Sequence, residues 1–167
     1  MSPLDARPVA GDVAPHFALR DADGVERSLT AAKGSWLALY FYPKDDTPGC
    51  TIEACEFRDA ERALQEAGAL VWGVSPDDQE SKAAFRDKFS LNFPILADVG
   101  HTVAEAYGVW GERTVGERTF TGDASRDVPD QPERPHYACL GERHPHGSCG
   151  GSARGDHGTT RLTPHEI

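Results

Sequence analysis

The stretch from Trp36 to Pro43, Trp-Leu-Ala-Leu-Tyr-Phe-Tyr-Pro, constrains the fold of this chain more than any other. Its apolar run, Trp36 to Tyr42, is too short for a core helix and rich in aromatic residues, which suits a strand buried on both faces. Pro43 ends the run, because proline lacks the N–H that a central strand must donate. Lys44, Asp45, Asp46, Thr47, Pro48 and Gly49 then make a loop. From Cys50 the pattern turns helical, with Ile52, Cys55 and Phe57 set among Glu53, Glu56, Arg58, Asp59, Glu61 and Arg62. A buried strand feeds a turn, and the turn opens a helix with Cys50 in its first turn.

That position matters chemically. A helix N-terminus presents unpaired N–H groups and the positive end of the macrodipole, and both stabilise a thiolate. Thr47, just upstream, can hold a hydroxyl near the sulfur, and Pro43 can shield it from bulk water. An isolated cysteine at a helix start is commonly a small, inert, buried side chain. A second cysteine, Cys55, on the same predicted helix shifts the reading toward redox chemistry.

With these residues in view a family resemblance becomes specific. The run Pro43-x-x-x-Thr47-x-x-Cys50-x-x-Glu53 resembles the active-site signature of the peroxiredoxins (AhpC/TSA-like). Its longer form, Thr-Pro-Gly-Cys-Thr followed by Cys55, is similar to the Q-type, or bacterioferritin-comigratory, branch. Gly11-Asp12, Pro15, Phe17, Leu19 and Asp23-Gly24 upstream match that branch, as do Ser75-Pro76-Asp77 and Phe93-Pro94 downstream. The likeness runs from about Gly11 to Gly122.

The resemblance implies an α/β, thioredoxin-like fold, a mixed central sheet flanked by helices. It implies a thiol peroxidase that reduces hydrogen peroxide and organic hydroperoxides. Cys50 would be the nucleophile and become a sulfenic acid. Cys55 would condense with it to an intramolecular disulfide, and thioredoxin or a similar dithiol would reduce that disulfide. Thr47 would hydrogen-bond the peroxide or the sulfur, and Glu53 matches the family's glutamate in the same helix. No cofactor or metal is expected, and the chain is expected to act as a cytoplasmic monomer. Cα atoms five residues apart in an α-helix are about 8.6 Å apart, whereas a disulfide tolerates roughly 4.4–6.8 Å. The first turns of this helix must therefore unwind during turnover, and Pro48-Gly49 is a suitable place.

Bulk properties exclude several classes. The net charge of −10 argues against nucleic acid, whose phosphates need clustered Lys and Arg. No apolar run is long enough for a membrane span, and Met1 to Pro8 shows no apolar signal core. Four cysteines in such a chain read as thiols kept for chemistry rather than as a disulfide framework.

Elsewhere the pattern predicts strands over 13–19 and 25–29, joined by a turn at Asp23-Gly24. The helix from Cys50 is expected to reach Ala67, with Gly68 as its C-cap. A strand over 69–74, a helix from Asp77 or Asp78 to Phe89, a strand over 93–97 and a short helix over 102–107 follow. Alternating strands and helices define an α/β domain over 1–122.

After Gly122 the texture changes. Most of the seven histidines and none of the lysines lie beyond it, large aliphatics are few, and Pro and Gly interrupt throughout. Residues 123–167 are expected to be a disordered tail, leaving the sheet incomplete and one edge uncovered. The family pattern instead continues with an arginine, a Thr-Phe-Leu-Ile strand, a turn, another strand and a helix. Codons can be chosen for Asp123 to Arg134 that, read one nucleotide later, spell Thr-Arg-Arg-Val-Thr-Phe-Leu-Ile-Asn-Pro-Asn-Gly. The tail is accordingly read as the product of a shifted reading frame, and Arg126 is not assigned the family arginine's role.

Two other readings compete. A thiol–disulfide oxidoreductase would use Cys50 and Cys55, although the redox motif is the tighter C-x-x-C. A redox-inert remnant or metal-binding module would use Cys139, His144, His146 and Cys149, which offer zinc-type donors at an unusual spacing.

Overall fold

A computed structural model describes residues 8, 12–115, 118–123, 136–140 and 160–162. The first hairpin is closed by Asp21. Strands β1 (Ala18–Asp21) and β2 (Glu26–Ser28) pair antiparallel across it. Asp21 Oδ1 accepts from the backbone N–H of Asp23 at 2.9 Å and of Val25 at 3.0 Å, while Oδ2 takes Arg27 Nε at 2.9 Å. Gly24 supplies the positive φ of +75° that the turn requires.

The expected central unit follows. Strand β3 (Trp36–Phe41) leads through the loop into helix α1 (Pro48–Glu66), and strand β4 (Ala69–Ser75) returns parallel to β3. Proline at the first helical position costs nothing, since that N–H would be unpaired anyway. Gly68, with φ +75°, lies just past the helix end as predicted. Helix α2 (Gln79–Phe89) starts at Asp78, whose side chain accepts from Ser81 N at 2.9 Å. Strand β5 (Ile95–Ala97) then pairs parallel to β4, and α3 (Thr102–Ala106) follows.

Three parallel strands form the middle of a seven-stranded sheet ordered β2-β1-β5-β4-β3-β8-β9. Strand β8 (His136–Leu140) runs antiparallel to β3, and β9 (Thr160–Leu162) parallel to β8. A separate hairpin pairs β6 (Trp110–Val115) with β7 (Arg118–Asp123).

Side chains alternate between the faces of a strand, and the core divides accordingly. Leu37, Leu39 and Phe41 of β3 join Trp72, Val74 and Leu96 on one face, covered by Phe17, Val103 and Tyr107. Tyr40 and Tyr42 join Val71 and Ile95 on the other, covered by Cys50 and Ala54 of α1 and Phe85 of α2. Each Leu- or Phe-sized side chain buried in this way contributes about 1.5–3 kcal/mol. Both faces of β3 are covered, which is why its sequence is apolar throughout.

The structure corrects the reading of the tail. Residues 136–140 and 160–162 are strands, so the expectation of disorder does not hold there, and β3 is not an uncovered edge. A strand edge offers a row of unpaired N–H and C=O groups. Any neighbouring segment without proline can satisfy them by backbone pairing, which needs no hydrophobic period. The β6–β7 hairpin was likewise not predicted. The remaining tail residues, including His144, His146 and Cys149, lie outside the described residues.

Candidate active site

Cys50 occupies the third position of α1 and is 5 % exposed. It belongs to the cluster built by Tyr40, Tyr42, Ala54 and Phe85, so the buried face of the helix, not solvent, surrounds the thiol. Cys55 is half-buried farther along the same unbroken helix, and the two are not joined in a disulfide. The helical register turns Cys55 by roughly 140° from Cys50, so the two sulfurs point to different sides of α1.

Thr47 is the residue before the helix, with extended φ −90° and ψ 153°. It has the backbone of an N-cap, but its side chain does not cap the helix. Its Oγ1 instead donates to the carbonyl of Lys44 at 3.2 Å. With the proton committed to the loop, the oxygen's free lone pairs remain as acceptors. Pro43 is half-buried and lines a small cavity with Tyr42, Val74, Ser75, Pro76 and His101; Cys50 is not part of that lining. Glu53 is half-buried on α1, within one turn of Cys50. Thr47, Cys50 and Glu53 therefore lie together at the start of α1, Pro43 lines the separate cavity at the end of β3, and Cys55 stays on another side of the helix.

The sequence reading missed a buried polar cluster beneath this loop. Lys82 of α2 is fully buried, and its Nζ lies 2.9 Å from Asp45 Oδ1 and 3.0 Å from Oδ2. The same ammonium contacts Ser75 Oγ and stands 3.9 Å from Asp77 Oδ2. Asp45 also accepts from Tyr42 Oη at 2.7 Å and Ser81 Oγ at 2.8 Å. Its backbone N–H donates to Asp77 Oδ2 at 2.8 Å. Burial pulls the Lys82 pKa down, partly offset by Asp45 and by Asp77. Burial and the charge on Asp45 push the Tyr42 phenol well above its ordinary value. One sequence signal for this cluster exists: Lys82, Phe85 and Phe89 share a helical stripe, and a lysine on an apolar stripe needs a buried partner.

On α1, Arg58 donates to the Phe89 carbonyl at 2.8 Å and pairs with Asp59 at 2.8 Å. Its pKa is raised, first by the hydrogen bond to Asp59 and also by the charge on Asp59.

A family model for AhpC/TSA matches residues 10–128. The chain belongs to the AhpC/TSA family. Peroxiredoxin Bcp of Escherichia coli strain K12 is 45% identical over 122 residues, covering 73% of this chain and 76% of that protein. Peroxiredoxin Bcp of Bacillus subtilis is 47% identical over 100 residues, covering 60% and 64%. Among solved structures, a PrxQ of Xylella fastidiosa superposes with a TM-score of 0.67 at 27% identity, covering 81% of this chain and 80% of that one. The bacterioferritin comigratory protein of Xanthomonas campestris, described with alkyl peroxide reduction activity, gives a TM-score of 0.60 at 34% identity over 64% and 68%.

These relatives make this AhpC/TSA member a peroxiredoxin of the Bcp/PrxQ kind, a thiol peroxidase with the thioredoxin-like α/β fold. The enzyme class implies a peroxide substrate and a reductant partner. The family match ends at residue 128, so β8 and β9 lie beyond it. Among the described residues, no helix is long and apolar enough to cross a membrane.

Proposed function

We propose that Cys50 is the peroxidatic thiol of this AhpC/TSA peroxidase and that Cys55 resolves it within the same chain. The observation that carries this is the burial of Cys50 in the first turn of α1, with Thr47 Oγ1 proton-committed to Lys44 and free to accept. The Cys50 thiolate attacks the distal oxygen of a hydroperoxide, an S–O bond forms as the O–O bond breaks, and the leaving alkoxide or hydroxide takes up a proton. The sulfur is oxidised to a sulfenic acid and the peroxide reduced to an alcohol or water. Thr47 accepts the hydrogen bond of the peroxide O–H, and Pro43 excludes water beside the loop. The Cys55 thiol then displaces hydroxide from the sulfenic sulfur, giving a disulfide and water.

Hydrogen peroxide and organic hydroperoxides are the proposed substrates, the latter by likeness to the Xanthomonas campestris protein. Thioredoxin or a similar dithiol is the proposed reductant, by exchange at the Cys55 sulfur. Two thiols on one helix need no second copy, which supports a monomer. Both must be returned to the thiol state between turnovers, which favours the reducing cytoplasm.

A coupled assay with peroxide, thioredoxin and its reductase tests this reading. Cys50→Ser should abolish turnover, and Cys55→Ser should leave a single oxidation of Cys50 without cycling. Full turnover by Cys50→Ser, or a dominant Cys50–Cys139 disulfide in mass spectra of the oxidised chain, would overturn it.

A further inference from the structure

Helix α2 reaches the loop ahead of Cys50 through two lysines. Lys82 holds Asp45 from below in full burial, and Lys88, farther along the helix, holds Asp46 from the exposed side at 2.5 Å. Between these two grips and Thr47 the backbone makes a left-handed turn. Asp46 has φ +55°, the left-handed region that L-residues other than Asn and Asp seldom enter. Aspartate tolerates this conformation, and the surroundings fix it in one place. Those surroundings are Lys82, Tyr42, Ser81 and Asp77 on Asp45, and Lys88 on Asp46.

Stability alone is a poor explanation for the buried pair. Exchanging a buried ion pair for well-packed apolar groups of similar volume is often neutral or stabilising. A buried pair that fixes one backbone geometry has a different use. Thr47 and Cys50 are reached from Asp45 along a short covalent path, and Thr47 Oγ1 donates back into the same loop at the Lys44 carbonyl. Reactivity at a thiol is sensitive to ångström-scale placement of its hydrogen-bonding partners. The opposite demand comes later in the cycle, when the start of α1 must unwind for Cys50 to meet Cys55.

We propose that Lys82 and Asp45 are a positioning pair: α2 clamps the loop so that Thr47 and Cys50 are held for attack on peroxide, and the unwinding is confined to α1 beyond Thr47. The proposal rests on Cys50 being the peroxidatic thiol. Neither residue of the pair touches the reacting atoms. Lys82 acts through Asp45, and Asp45 through the backbone of the loop.

The test separates the two oxidative steps in single-turnover experiments and adds thermal melting. In Lys82→Met, the rate of Cys50 oxidation by hydrogen peroxide should fall by about 10- to 100-fold, while the subsequent condensation with Cys55 is not slowed. Ser81→Ala, which removes one half-buried donor to Asp45 and leaves the helix backbone intact, should lower the same first step by a smaller factor. A lowered melting temperature with an unchanged oxidation rate in Lys82→Met overturns the proposal. If that variant does not fold, an unchanged first step in Ser81→Ala overturns it. The alkylation rate of Cys50 by iodoacetamide is read in parallel and needs no peroxidase activity. It should shift in Lys82→Met whether or not Cys50→Ser retains turnover, so failure of the clamp and failure of the Cys50 assignment give different results.

Discussion

Cys50 and Cys55 sit on one continuous helix, the first buried beneath Tyr40 and Tyr42 and the second half-buried on another side. Helical geometry keeps their Cα atoms about 8.6 Å apart, beyond the roughly 4.4–6.8 Å a disulfide accepts. Oxidation should therefore melt the start of α1. Hydrogen exchange on the peroxide-treated chain should show lost protection at the amides of residues 51–55 and retained protection at 58–66. Unchanged protection along the whole helix in a chain proven to carry the Cys50–Cys55 bond contradicts this.

Gly73 is expected to resist any substitution. It lies opposite Tyr40 in the β3–β4 register, and a Cβ there would come 2.8 Å from the Tyr40 ring and hydroxyl. The ring cannot retreat easily, since it is 1 % exposed and stacks on Phe57 at 4.7 Å and Tyr42 at 5.4 Å. Gly73→Ala should cost about 1–3 kcal/mol, the usual range for overpacking. Denaturant unfolding should show a lower midpoint at unchanged slope.

Alkaline pH should weaken the fold through two tyrosines. Burial raises the phenols of both Tyr42 and Tyr107. An unfolded tyrosine ionises near pH ~10, so above that value the unfolded chain binds fewer protons than the native one. Stability is then complete below pH ~10 and declines as pH rises toward the native values, by up to about 1.4 kcal/mol per pH unit for each group. Equilibrium unfolding measured across this range checks the slope. Ionisation of these two phenols without loss of the near-ultraviolet signal of the core would count against it.

The tail should matter through backbone pairing alone. Ala138 of β8 is opposite Leu39 of β3 and Thr160 of β9. Ala138→Pro removes an N–H from a strand with neighbours on both sides, where proline is essentially excluded. The exposed β3 edge should then promote aggregation, read as light scattering at concentrations where the parent chain stays clear. A chain with the frame restored from residue 123 should turn over peroxide faster than the chain described. Equal turnover by the two would show that the tail replaces the family's closing elements.

The strand from Trp36, the loop at Pro43 and the helix carrying Cys50 and Cys55 were legible because each depends on its own residues. An apolar run, a proline and a change of period act over a few positions, and chain continuity then delivers Thr47 beside Cys50. The hairpin at Asp23-Gly24 and the helix stop at Gly68 were readable for the same reason, since a positive φ selects glycine locally. Other features depend on which distant segments meet. Lys82 finds Asp45 only because α2 packs beside the end of β3, and nothing within either local stretch names the other. Strand β8 carries no period of its own, and it becomes a strand because β3 offers backbone groups to pair with. Hydrophobic pattern and turn chemistry are written along the chain, whereas buried charge pairs and edge pairing are set by long-range contact, so the sequence alone determined the place of Cys50 at a helix start and the tertiary structure decided what holds the loop before it.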